Sequence, residues 1–249
     1  MIESKPAVAD PAPAMAAAGR GGALQAVLFD MDGLLVDTEP LWFEVEHAVM
    51  SRLGGEWTPQ DQQALVGGSL QRSVGYLMDR ASLPASHDEV AGWLVGGMAD
   101  LLAEREAAMM PGAIELLGQV AAAGIPRVLV TSSERVIMDT VLASLAKHDI
   151  AFTATVCGAD VRHPKPDPEP YRRAAALIGA DPRRCVALED SPNGVASALA
   201  AGCVTVAVPG VAHVEPRAGL TIVASLADVD LDLLDALVAR QAMTSAPPA

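Results

Sequence analysis

The chain has 249 residues, of which 51% are hydrophobic, 19% charged and 3% aromatic, and its formal net charge is −14. This length and apolar content suit one large domain, or one domain carrying a smaller insertion, and argue against global disorder. The acidic balance argues against a nucleic-acid partner, whose phosphates reward Lys and Arg, and no apolar run reaches membrane-spanning length, so no membrane partner is expected.

Residues 1–22 are rich in Ala and Pro, including Pro6, Pro11 and Pro13. They lack an uninterrupted apolar stretch behind a basic start, so they are expected to form a disordered tail rather than a signal peptide. Ala26 to Phe29 are apolar and predict a short buried strand. Asp30-Met31-Asp32-Gly33 follows at once. Two carboxylates one residue apart at the carboxyl end of a strand can hold a hard divalent cation. One can also attack while the other handles a proton. Gly33 lets the backbone turn sharply and approach a ligand closely.

From Glu39 to Met110 no strand pattern is present. Leu41, Val45, Ala48, Val49 and Leu53 follow helical spacing, as do Leu94, Met98, Leu101 and Leu102, and Gly54-Gly55, Gly67-Gly68 and Pro84 punctuate the segment. Residues 39–110 therefore predict an all-helical insertion, and helices placed after a strand's carboxyl end make a natural lid. Within it Glu39, Trp42 and Arg72 are possible substrate contacts. His47 and His87 are more readily explained as surface residues.

After Met110-Pro111-Gly112 two textures alternate. Short apolar runs at Arg127–Val130, Phe152–Cys157, Cys185–Leu188 and Val204–Val208 predict strands. Ala113–Ala123, Arg135–Ala146, Pro168–Ile178 and Asn193–Ala201 predict helices, each of three ending near a glycine (Gly124, Gly179, Gly202). Such alternation means βαβ units and a parallel sheet, an α/β fold.

Three strand ends carry further chemistry. Thr131-Ser132-Ser133 presents hydroxyls suited to phosphate oxygens. His163-Pro164-Lys165-Pro166-Asp167-Pro168 places one lysine between prolines, a point charge in a rigid setting. Glu189-Asp190-Ser191-Pro192 ends an apolar strand in paired acids, which can complete a cation site with Asp30 and Asp32. Either Asp190 or Ser191 can also cap the helix that follows. Cys157, Cys185 and Cys203 are widely spaced and odd in number, which points to reduced thiols and a cytoplasmic setting.

These four stations, in this order and with a helical insertion after the first, closely resemble the haloacid dehalogenase superfamily. The resemblance spans about residues 24 to 235. It implies a Rossmann-like core over 23–38 and 111–236, a mobile helical cap over 39–110 inserted after the first strand and its β-hairpin flap, and a C-terminal tail over 237–249. By resemblance Asp30 is the nucleophile that takes up a phosphoryl group. Asp32 protonates the leaving oxygen and then activates water, while its backbone carbonyl ligates magnesium. Thr131, Ser132 and Lys165 bind the phosphoryl group, and Lys165 also orients Asp30. Asp190 with Asp30 holds the metal, and Glu189 ligates it or supports it from behind.

Within that superfamily the residues discriminate. Asp32 is the second acid that the dehalogenases lack. Phosphonate hydrolases use a cap lysine, and residues 38 to 110 contain none. The transport ATPases carry Asp-Lys-Thr-Gly and membrane helices. The β-phosphoglucomutases place an arginine where this chain has Leu70, with Arg72 two residues away, and a histidine where it has Trp42. Asp37-Thr38-Glu39-Pro40-Leu41-Trp42 instead looks like the sugar- and polyol-phosphate phosphatases. The resemblance thus implies a magnesium-dependent phosphatase of small phosphorylated metabolites working through an aspartyl-phosphate, as a monomer or weak homodimer. A β-phosphoglucomutase-like isomerase is the alternative, and a non-catalytic phosphometabolite-binding protein is third.

Overall fold

A computed structural model of the chain describes residues 24–244; the expected tail at 1–22 lies outside the described residues, as do residues 245–249. In chain order the elements are β1 (Ala26–Phe29), β2 (Val36–Asp37), α1 (Glu39–Arg52), α2 (Pro59–Leu65), α3 (Leu70–Arg80), α4 (His87–Glu104) and β3 (Ala108–Met109). They continue with α5 (Ala113–Ala122), β4 (Arg127–Val130), α6 (Arg135–Ala146), β5 (Ala154–Val156), α7 (Glu169–Leu177) and β6 (Cys185–Glu189). The last four are α8 (Pro192–Ala201), β7 (Val204–Ala207), β8 (Leu220–Ile222) and α9 (Leu231–Thr244).

Six strands form one sheet in the order β5-β4-β1-β6-β7-β8, and every pairing in it is parallel. The central strand is buried on both faces, and its alternate residues serve different layers. Val27 and Phe29 pack with α5, α6 and α9 through Leu116, Met138 and Leu234. Ala26 and Leu28 pack with α7 and α8 through Tyr171, Ala174 and Ala198. The result is a three-layer α/β/α core.

Strand order decides where the chemistry falls. The chain builds β4 and β5 on one side of β1, then crosses to build β6, β7 and β8 on the other. Register sets Phe29 beside both Leu129 and Leu188. The carboxyl ends of β1, β4 and β6 therefore open together at a topological switch point, where open α/β sheets bind ligands.

Helices α1 to α4 form the cap. Their buried residues Val45, Val49, Leu77, Leu94 and Met98 join the same apolar cluster as one face of the sheet, and α1 packs on α4. Two of the helices start on full capping boxes, Thr58 with Asp61 and Ser86 with Glu89.

Three sequence expectations need correction. The segment read as free of strands ends in β3, which pairs antiparallel with β2; two residues are too few to leave a periodic signal. Strand β8 at the sheet edge was not anticipated, because Leu220–Ile222 is short and only partly buried. The C-terminal tail expected from residue 237 is instead the second half of α9, with Leu237 and Val238 buried against the core. No helix among the described residues is long and apolar enough to cross a membrane. The three cysteines are free and buried.

Candidate active site

Asp30 follows β1, Thr131 follows β4, and Glu189 and Asp190 end β6. Lys165 comes from the loop between β5 and α7 and reaches beneath them all. Its ammonium donates to Asp30 Oδ1 at 2.5 Å, Glu189 Oε1 at 2.6 Å and the Val130 carbonyl at 2.9 Å. These three acceptors use all three of its N–H groups. Burial pulls the Lys165 ammonium down, but Asp30 and Glu189 outweigh it and hold its pKa above the ordinary range. It therefore stays charged.

Tyr171 of α7 donates its hydroxyl to Glu189 Oε1 at 2.6 Å. Ser191 donates to Glu189 Oε2 at 3.3 Å and accepts from Gly194 N at 3.1 Å, which settles the choice of cap for α8 on Ser191. Glu189 is thus bonded at both oxygens. Asp190 is buried beside Gly33, which has φ +77; a Cβ there would stand 2.4 Å from Asp190 Oδ2. Only glycine admits both the turn and that approach.

One oxygen each from Asp30, Glu189 and Asp190 lie within 4.8 Å of one another, and all three residues are buried. Burial pushes the Asp30 carboxyl up to about 8, against the opposing pull of Lys165. Burial, Asp30 and Glu189 push Asp190 well above the usual range. Three buried carboxyl groups face one ammonium, so ionising all of them would leave negative charge that the protein does not neutralise and a bound cation would. The donors are all oxygens, a set that suits magnesium rather than zinc.

Asp32 stands apart from that group. Its Oδ1 accepts from Thr38 Oγ1 at 2.7 Å and Trp42 Nε1 at 3.5 Å, and its Oδ2 accepts from Ser133 Oγ at 2.7 Å and Thr131 Oγ1 at 3.1 Å. Thr38 precedes α1 but makes no side-chain cap bond, because its hydroxyl is committed to Asp32. Thr131, expected to meet phosphate, also accepts from Ser133 N at 3.0 Å. Four donors fix this carboxylate over the cavity between core and cap.

That cavity is lined by Asp30, Asp32, Thr131, Ser132, Lys165 and Asp190 from the core, and by Glu39 and Trp42 from the cap. Burial lifts the Glu39 carboxyl to about 7, with Asp32 and Asp37 adding and Gln62 opposing. Gln62 Nε2 bonds both the carbonyl and the carboxylate of Glu39, at 2.7 and 3.1 Å.

The structure does not bring Arg72 into the cavity. Ser69 caps α3, so the helix begins at Leu70 and sets Leu70 and Ser73 in the wall. Arg72 is exposed and donates to the Ala64 carbonyl at 2.8 Å. His47 is exposed with its ring stacked on Phe43, and His87 is exposed at the start of α4. Sequence reasoning missed Ser133, Tyr171 and Gln62. Ser133 lay within the hydroxyl run and could have been singled out; nothing in sequence marks the other two.

Residues 27–208 match the model of the haloacid dehalogenase-like hydrolase family. The chain belongs to that family. It is 32% identical over 221 residues to hexitol phosphatase B of Escherichia coli K12, covering 86% of this chain and 95% of that one. It is 31% identical over 208 residues to a probable pseudouridine-5'-phosphatase of Drosophila melanogaster, covering 81% and 89%. Among solved structures it resembles CbbY from Rhodobacter sphaeroides in complex with phosphate, with a TM-score of 0.77 and 27% identity, covering 85% and 99%. The family match and the phosphatase relatives together make the chain a phosphoric monoester hydrolase.

Proposed function

We propose that this hydrolase is a magnesium-dependent phosphatase of small sugar or polyol phosphates that works through an aspartyl-phosphate on Asp30. The observation that carries the reading is the Lys165 ammonium held between Asp30 and Glu189, beside Asp190 and under a capped cavity. Asp30 is the carboxylate that the ammonium orients, and its free oxygen is the attacking atom. Asp32, fixed by Thr38, Thr131 and Ser133, is aimed at the leaving oxygen and serves as acid, then as base toward water. Splitting the displacement into two steps makes each one easier.

Asp30 and Asp190 would hold magnesium, joined by the Asp32 backbone carbonyl, with Glu189 bonded behind them to Lys165, Tyr171 and Ser191. When bound, the metal neutralises charge on the transferring phosphoryl oxygens. Lys165 and the backbone N–H of Ser132, after β4, would supply the rest of that neutralisation. The cap excludes bulk water during attack.

The arrangement weighs against the isomerase alternative. A mutase must grip a second phosphate, and among the described residues lining the cavity Lys165 is the only cation. Leu70 stands where an arginine would be needed. The test is phosphate release by the magnesium-loaded full chain from a panel of phosphorylated metabolites. Release from hexitol or hexose monophosphates, lost in Asp30→Asn, is expected. Interconversion of hexose phosphates faster than phosphate release would overturn the phosphatase reading.

A further inference from the structure

Glu46 has no role in the chemistry above, yet it is 4% exposed and lines the same cavity. Its Oε2 makes no hydrogen bond of good geometry among the described residues, and the Trp57 indole N–H that faces the carboxyl makes none either, so the contact between the two is weak. A buried polar group left unpaired is costly, so its presence in a ligand cavity points to a partner that arrives with the ligand.

Helix geometry says which part of the ligand it meets. Glu39 and Glu46 are seven residues apart on α1, close to two turns, so both face the cavity along one side of the helix with Trp42 between them. Their backbone positions are about 10 Å apart along the axis. Glu39 is near Asp32, at the reacting end. Glu46 is two turns deeper in the cap, at the far end of whatever leaving group the cavity holds. The cap side of the cavity also carries the apolar Leu65, Leu70 and Val95.

We propose that Glu46 is a specificity-determining residue that hydrogen-bonds a hydroxyl at the far end of an uncharged, polyhydroxylated leaving group. The inference rests on the phosphomonoesterase reading and deepens it. Burial, with Glu39 adding and Trp57 opposing, pushes the Glu46 carboxyl up to about 8. Near neutral pH it therefore carries a proton and can both give and accept a hydrogen bond, as a hydroxyl can. A second phosphate at this depth would meet Glu39 and Glu46 and find no cation among the described lining residues, so bisphosphates are poorly accommodated.

The experiment compares the wild-type chain, Glu46→Gln and Glu46→Leu, each magnesium-loaded, on p-nitrophenyl phosphate and on a set of hexitol and hexose monophosphates. For the best sugar or polyol ester, Glu46→Leu should raise KM about tenfold, the worth of one hydrogen bond in a dry site, with kcat changed by less than about threefold. KM for p-nitrophenyl phosphate, which has no far hydroxyl, should stay within about twofold. Glu46→Gln, which keeps a donor and an acceptor, should fall between. The melting temperature of Glu46→Leu should equal or exceed that of the wild type, because an unpaired buried carboxyl is removed. An unchanged KM ratio between the two substrate types, or an equal loss on both with a lowered melting temperature, overturns the inference and leaves the phosphatase reading standing. Wild-type turnover of p-nitrophenyl phosphate with none of the sugar or polyol esters overturns the inference and the sugar or polyol substrate class, and leaves only the phosphomonoesterase reading standing. A wild-type chain that releases phosphate from neither type overturns both.

Discussion

Asn193 Nδ2, in the first turn of α8, donates to the Gly67 carbonyl at 3.0 Å and so ties the cap to the helix that begins beside the buried carboxylates. The contact is close because Gly67 has φ +66 and no side chain; a Cβ there would stand 2.4 Å from the Ser191 Cβ. A cap tied at this point covers Asp30 and Asp190. Asn193→Ala should raise KM about three- to tenfold, the worth of one net hydrogen bond, with the chemical step unchanged in single turnover. Gly67→Ala should be worse, because it adds left-handed strain to the clash. Steady-state kinetics with hydrogen exchange across residues 66–69 would check this; wild-type KM and exchange in both variants would show that the contact holds nothing.

Asp30→Asn should abolish turnover, because an amide cannot form the acyl phosphate. The substitution also removes one anionic partner of Lys165, so circular dichroism should confirm folding. Wild-type phosphate release from the purified, magnesium-replete variant would remove Asp30 as nucleophile.

Asp32→Asn should lower kcat by about two to four orders of magnitude, the usual size of general acid–base assistance. Ser133→Ala should cost only about tenfold, because Thr38, Thr131 and Trp42 still hold the carboxylate when one hydrogen bond is lost. A Ser133→Ala loss as large as that of Asp32→Asn would mean that the serine acts directly on substrate.

Chelation by EDTA should silence the enzyme and magnesium should restore it. Binding of a cation to three crowded carboxylates should also raise the melting temperature of the folded chain. In Asp190→Asn that magnesium-dependent rise should shrink or vanish. Full activity in chelator with no metal bound would refute the cation site.

Glu46 also leaves a mark on stability. Its carboxyl titrates at 4.5 when unperturbed and at about 8 when folded. Between those values the folded chain keeps a proton that the unfolded chain releases, so this contribution is fully present at low pH and is lost as pH rises toward 8. Glu39, the neighbouring carboxyl that raises it further, is unchanged in Glu46→Gln. Urea midpoints at pH 5 and pH 8 should therefore fall less in Glu46→Gln than in the wild type. An equal fall in both would show that Glu46 does not hold its proton.

The α/β core was legible in sequence because its signals are local. Apolar runs such as Ala26–Phe29 and Cys185–Glu189 end in acids, and helices begin on Ser191-Pro192 and end near Gly202. Chemistry at those strand ends was legible too, as Asp30, Asp32, Lys165 and Asp190, since a carboxylate or a proline-bracketed lysine has little reason to sit there without a partner. The long cap, read over residues 39–110, announced itself by helical spacing at residues 41–53 and 94–102. Local pattern carries no information on which oxygen meets which donor. Only the strand order β4-β1-β6 sets Lys165 against both Asp30 and Glu189, 135 and 24 residues away in sequence. Only the packing of α7 under β6 brings the Tyr171 hydroxyl to Glu189, and only the start of α3 at Leu70 turns Arg72 away from the cavity. The depth of Glu46 was equally hidden, because one glutamate on a helix reads as solvent-facing until the partner surfaces are known. Sequence by itself determined the central strands and helices of the core and the reactive groups at their ends; long-range packing decided the short edge strands, the distances between those groups, their burial and hence their charge.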